Sequence, residues 1–122
     1  MSLADVQITL LPSAVIAHLT GEVDISNAED VGASVLNSTP TEAQGVVLDL
    51  SGVDYLDSAG IYVLYGMRSS LLARGQTLIL VIPPTSPVLD SLRLAGAERP
   101  GEVAEAVEEA LAIFDNAPPP RS

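Results

Sequence analysis

The stretch GVVLDLSGVDYLDSAGIYVLYGM (residues 45–67) decides the fold. Its first part, residues 45–51, is a continuous apolar run whose first charge is Asp49, the pattern of a central strand buried on both faces of a sheet. From Ala59 the apolar spacing becomes helical. Gly60, Val63, Leu64, Met67 and Leu71 fall on one face, which turns Tyr62, Gly66 and Ser69 to the opposite side and Tyr65 to a flank. The spacing predicts a helix over residues 59–74, closed by Gly75. TLILVI (residues 77–82) repeats the buried-strand pattern, so strand, helix and strand predict a right-handed crossover between parallel strands.

Toward the N-terminus, VQITL (6–10) alternates Val6, Ile8 and Leu10 with Gln7 and Thr9, and AVIAHLT (14–20) follows Pro12-Ser13, which predicts a hairpin. GEVD (21–24) then leads into Ser26-Asn27-Ala28-Glu29, where the Ser26–Glu29 spacing predicts a capping box. Ala28, Val31 and Val35 share one face of the helix that follows, which ends near Asn37. Toward the C-terminus, Ser86-Pro87 caps a short helix from Val88 to Leu94, stopped at Gly96. A last helix is expected from Glu102 to Phe114, with Val103, Val107, Leu111 and Phe114 along one stripe and Glu102, Glu105, Glu108 and Glu109 as a solvated acidic face. The expected organisation is one domain over residues 1–115 and a flexible tail over 116–122, NAPPPRS.

The 122 residues suffice for a real core, and with one Phe, three Tyr and no Trp that core must come from Val, Leu, Ile and Ala. The formal charge is −11, and all five basic residues are Arg. Such a chain repels nucleic acid and anionic membranes. Without Lys there is no Schiff-base chemistry and no phosphate-loop lysine; without Cys there are no disulfides and no thiol nucleophile. The N-terminus has neither a basic leader nor an apolar run near 18 residues, so a cytoplasmic domain with no membrane span is expected.

Functional groups in open α/β sheets collect beyond the carboxyl ends of the strands, where this sequence places Asp54, Asp57 and Ser58. One reading is a helix cap by Asp57 or Ser58. A hydrolase nucleophile is disfavoured, because Leu56 stands where G-x-S-x-G needs Gly and the single His, His18, lies in a strand between Ala17 and Leu19. Asp24, Asp54 and Asp57 lack the spacing of a calcium loop, and neither metal nor cofactor is expected. The remaining reading is modification. A phosphate on Ser58 would face the free amides of the helix start while adding charge beside Asp54 and Asp57, against any partner docked over the turn. Outward Tyr62, one turn away, would anchor such a partner.

LTGEVDISNAEDV, VVLDLSGVDYLDSAGIYVL and RGQTLILVIPPTSPVLDSLRLAGA together resemble the STAS domain of anti-sigma factor antagonists over nearly the whole chain. The resemblance implies an α/β fold in which an N-terminal β-hairpin feeds a mixed sheet of four to five strands with about four helices packed on it. It implies a non-enzymatic regulator that binds an anti-sigma factor serine kinase by partner exchange. Phosphorylation ends the binding and a phosphatase restores it. Carried over by motif, Ser58 is the phosphoacceptor, Asp24 of GEVD lies near it and helps the kinase contact, and Asp57 belongs to the same recognition loop; Ala59, Gly60 and Tyr62 are expected beside them on the partner-binding surface. Tyr62 departs from the small residue common there, and ERPGEVAEAV (98–107) offers no clear last strand, so an edge strand near residues 98–101 is short or missing. The same domain also serves adaptor roles in stressosome-like, lipid-transport or transporter-associated assemblies. A nucleotide-binding module is weakened by the missing Lys and phosphate loop, and a weak homodimer is compatible with the exposed Tyr62 and the acidic face.

Overall fold

In the computed structural model, which describes residues 4–94 and 103–115, the chain opens as the hairpin its alternation predicts. β1 (Asp5–Leu10) pairs antiparallel with β2 (Ala14–Val23), and the turn is closed by the Leu11 N–H donating to the Ala14 carbonyl at 2.9 Å. α1 (Ala28–Asn37), β3 (Gly45–Leu56), α2 (Ser58–Ala73), β4 (Thr77–Val81), α3 (Pro87–Leu94), β5 (Val103–Ala104) and α4 (Val107–Asp115) follow. The five strands lie in the order β1-β2-β3-β4-β5, with every pairing after the hairpin parallel. The mixed sheet and its four helices are the expected architecture.

The continuous apolar runs are explained by helices on both faces. Alternate residues of a strand point to opposite sides. Val15, Ala17 and Leu19 of β2 and Val46, Leu48 and Leu50 of β3 join a core completed by α1, α2 and α3, through side chains such as Val35, Leu71 and Leu92. The residues between them, Ala14, Ile16 and Val47, join Ile79, Val81 and Ala104 in a second core under Ala110 and Phe114 of α4. The core is aliphatic apart from Met67 and Phe114, as composition requires. Gly75 adopts φ +74°, the left-handed conformation that ends α2 without strain. The Ser86 hydroxyl accepts from the Val88 N–H at 3.2 Å, the expected cap of α3.

His18 and Asp49 sit side by side on the face that carries α4, with His18 Nδ1 2.9 Å from Asp49 Oδ2, so His18 is a partnered strand residue. Burial pushes the Asp49 carboxyl up, but hydrogen bonding from Ser51 and contact with His18 outweigh it and hold the group below its ordinary 3.8. A carboxylate with a lower pKa folded than unfolded contributes stability above its unfolded pKa and loses it as pH falls through the folded value. Asp49→Asn should therefore narrow the stability gap to the native chain between about pH 5 and about pH 2. Urea denaturation at both pH values checks this, and an unchanged gap would remove Asp49 from the acid response.

Three local expectations are corrected. Ser26 and Glu29 do not form a capping box: Asn27 occupies the N-cap of α1 without a side-chain cap bond, and the Ser26 hydroxyl donates instead to Asp24 Oδ1. The last helix does not include Val103, because Val103 and Ala104 pair with Leu80 and Val81 as a two-residue edge strand, and the Ala104 carbonyl accepts from the Ile82 N–H at 2.8 Å. A strand edge offering unpaired amides outcompetes one more helical turn here, and α4 starts only at Val107. Asp54 lies within β3, not beyond it, since that strand runs on to Leu56. Gly96, residues 98–101, Glu102 and the tail 116–122 fall outside the described residues.

Candidate functional site

The turn from β3 into α2 is built by Asp57. Its extended backbone (φ −90°, ψ −175°) makes it the N-cap, and Oδ1 accepts from the Gly60 N–H at 3.0 Å. The other oxygen, Oδ2, accepts from the Ile25 N–H at 3.3 Å, and the Asp57 N–H donates to the Val23 carbonyl at 3.2 Å. One residue thus caps α2 and ties it to the loop between β2 and α1. Gly60 is buried under this turn, where a Cβ would lie 2.4 Å from Leu56 Cδ1 and 3.3 Å from Val23 Cγ1. Gly60 therefore serves the turn by close packing and presents no surface of its own.

The facing loop is held by Asp24 and Asn27. Asp24 Oδ1 accepts from the Ser26 hydroxyl and from its N–H (2.9 Å), which keeps the Asp24 carboxyl below its ordinary 3.8. The Asp24 N–H donates to Asn27 Oδ1 at 3.0 Å, and Asn27 Nδ2 donates to the Glu22 carbonyl at 2.9 Å. Through the Ile25 N–H and Asp57 the structure brings the loop that holds Asp24 against the start of α2. Asp54 has no bond into this arrangement, and among the described residues no cluster of three His, Cys, Asp or Glu is placed to hold a metal ion.

With Asp57 capping, Ser58 is left over. It is the first residue of α2, exposed, and its hydroxyl has no hydrogen-bond partner among the described residues. Its position at a helix N-terminus favours added negative charge by about 0.3–1 kcal/mol. Ala59 is half-buried behind it, and Tyr62, one turn on, is 78% exposed.

A groove of about 520 Å³ runs from Ser58 between α1 and α2 as far as Leu36 and Ser70. Sequence reasoning missed it, along with Ile25, which stands 85% exposed at its mouth. An isolated Ile between Asp24 and Ser26, outside any apolar periodicity, was the available signal. Gly66 also lines the groove. A Cβ there would meet nothing within 4 Å, although glycine inside a helix costs about 0.5–1 kcal/mol relative to alanine.

Asp57→Ala should cost about 1 kcal/mol through the lost cap. It should also raise hydrogen exchange at Gly60 and Ile25 together, since both amides bond the one carboxylate. Exchange that rises at Gly60 alone would mean that Asp57 does not hold the loop.

An antiparallel hairpin feeding parallel strands, with the β2–α1 loop tied to the start of α2 through Asp57, defines the class of α/β module. The STAS domain model matches residues 5–110, and the chain belongs to that family, whose domains are non-catalytic regulatory modules. The fold is shared with a putative anti-sigma factor antagonist from Thermotoga maritima, 23% identical, with a TM-score of 0.77 over 91% of this chain and 95% of that one. The Bacillus cell fate determinant SpoIIAA in its phosphorylated form is 18% identical, with a TM-score of 0.63 over 88% and 97%. The murine Slc26a9 anion transporter in the inward-facing state is 20% identical, with a TM-score of 0.77 over 89% of this chain but only 19% of that one. Among the described residues no helix is long and apolar enough to cross a membrane.

Proposed function

We propose that the chain is an anti-sigma factor antagonist that binds an anti-sigma serine kinase by partner exchange and is released when that kinase phosphorylates Ser58. A phosphatase returns it to the binding form. The observation that carries this reading is the division of labour at one turn: Asp57 makes the cap, and the neighbouring Ser58 hydroxyl stays exposed without a partner. Its family membership and its fold agree with this role.

The kinase must supply the base that takes the Ser58 proton as ATP's γ-phosphoryl group is transferred to Oγ. His18 is paired with Asp49 on the sheet face away from α2, so this chain offers no imidazole at the turn. Intact-mass and peptide mass spectrometry after incubation with ATP and candidate anti-sigma kinases tests the reading. One phosphate mapped to Ser58 is expected. No phosphate with any candidate would favour an adaptor that uses the same surface unmodified.

A further inference from the structure

Gly66 has no structural reason to be glycine. It lies inside α2 with no positive φ, and the space where a side chain would stand is open. Gly32, across the groove on α1, differs: a Cβ there would sit 2.7 Å from Val63 Cγ1, so that glycine lets the two helices approach. Of these two groove glycines, Gly66 is the one whose side-chain space stands open.

The groove it opens has a definite shape and charge. From Ser58 to Ser70 it follows α2 for about 18 Å at the rise of a helix. Small residues, among them Ala28, Ala33 and Ala59, lower its walls, while Ile25 and Tyr62 stand at the mouth. Glu29 is the one charged residue lining it, and the Asp24 and Asp57 carboxylates flank the Ser58 end. A channel between two helices with low walls suits a third helix, whose anchors recur at i, i+3, i+4 and i+7. Glu29 in the lining, with the Asp24 and Asp57 carboxylates at the Ser58 end, selects a basic one. A second copy fits poorly, since the chain carries −11, has no Lys, and puts Glu108 and Glu109 on the exposed side of α4.

We infer that the α1–α2 groove seats an amphipathic helix of the partner, its small apolar stripe against Gly66 and its Lys/Arg flank over Glu29. The identity of that partner as the kinase rests on the function proposed above; the helix and its charge rest on the groove.

Two 18-residue helical peptides with one Leu/Ala stripe, flanked in one by Lys/Arg and in the other by Glu, serve as probes in an NMR titration of the whole chain. The basic peptide should shift the amides of Ala33, Gly66 and Ser70, and the acidic one should bind at least tenfold more weakly. Gly66→Leu should weaken the basic peptide, and any kinase that phosphorylates Ser58, at least tenfold, while the melting temperature stays level or rises. No shift along the groove, equal binding of the two peptides, or full peptide affinity in Gly66→Leu overturns the inference. If Ser58 is phosphorylated but Gly66→Leu binds the kinase normally, the groove inference fails and the switch stands. If no kinase acts on Ser58 but the basic peptide maps to the groove, the switch fails and the groove stands. Self-association of the native chain that Gly66→Leu abolishes would show a second copy in the groove and overturn the partner helix.

Discussion

Gly45→Ala should lower stability by about 3 kcal/mol, the upper end of what an added methyl usually costs in a packed core. The Cβ would lie 2.0 Å from the Thr77 carbonyl oxygen and 2.9 Å from two ring atoms of Phe114. The carbonyl has little room to retreat. Gly45 pairs with Ala14 on one side and Thr77 on the other, and the Thr77 N–H donates to the Gln44 carbonyl at 3.1 Å, so three strands start at one level. The Gly45 φ is not positive, so the requirement is for space and not for backbone freedom. Gly66→Ala is the control: it should gain up to about 1 kcal/mol in helix propensity. Urea midpoints of both variants test the contrast, and a native-like midpoint for Gly45→Ala would contradict the close approach of β3, β4 and α4.

Ser58→Glu should reduce affinity for the cognate anti-sigma kinase at least tenfold, and phosphorylation about a hundredfold, the equivalent of about 2.7 kcal/mol. The fold should hardly notice. An anion at the first position of α2 meets the favourable end of the helix, whereas a partner lying over the turn must desolvate new charge beside Asp57. Ser58→Ala should bind like the native chain, and Ser69→Glu, farther along the exposed side of α2, should change affinity little. Calorimetric titration of the variants, with melting curves alongside, reads both effects. Equal affinity for Ser58→Ala and Ser58→Glu would refute the switch and leave an unmodified adaptor.

The central strands were legible because both of their faces are buried. Runs such as residues 45–51 and 77–82 carry so few polar residues that only two-sided cover accommodates them, and α4 supplies the second cover. Where cover is partial, the sequence was ambiguous. Val103 and Ala104 continue the helical stripe of Val107 and Leu111, and only the unpaired edge of β4 makes them a strand. Ser26 and Glu29 have capping-box spacing, but Asp24, two residues upstream, binds the Ser26 hydroxyl first. At the site, the motif brought out Asp24, Asp57 and Ser58 and helical spacing brought out Tyr62, yet neither could report that Asp57 caps α2 and holds the β2–α1 loop at once. The groove depends on which small residues of two distant helices face each other, and periodicity within either helix does not carry that information.

Each strand pairs with the one before it in the chain, so the sheet grows in the order of synthesis. Each pairing as far as β4 closes over a connection holding no more than one helix, so no strand has to wait for a later one. As the chain leaves the ribosome, α1 and α2 can close their groove once β4 has emerged, before the C-terminal third exists. The last pairing is also the smallest, two residues of β5 against Leu80 and Val81. In the finished molecule it should be the first hinge to open, at the far edge from the hairpin, so fraying there leaves the Ser58 turn intact.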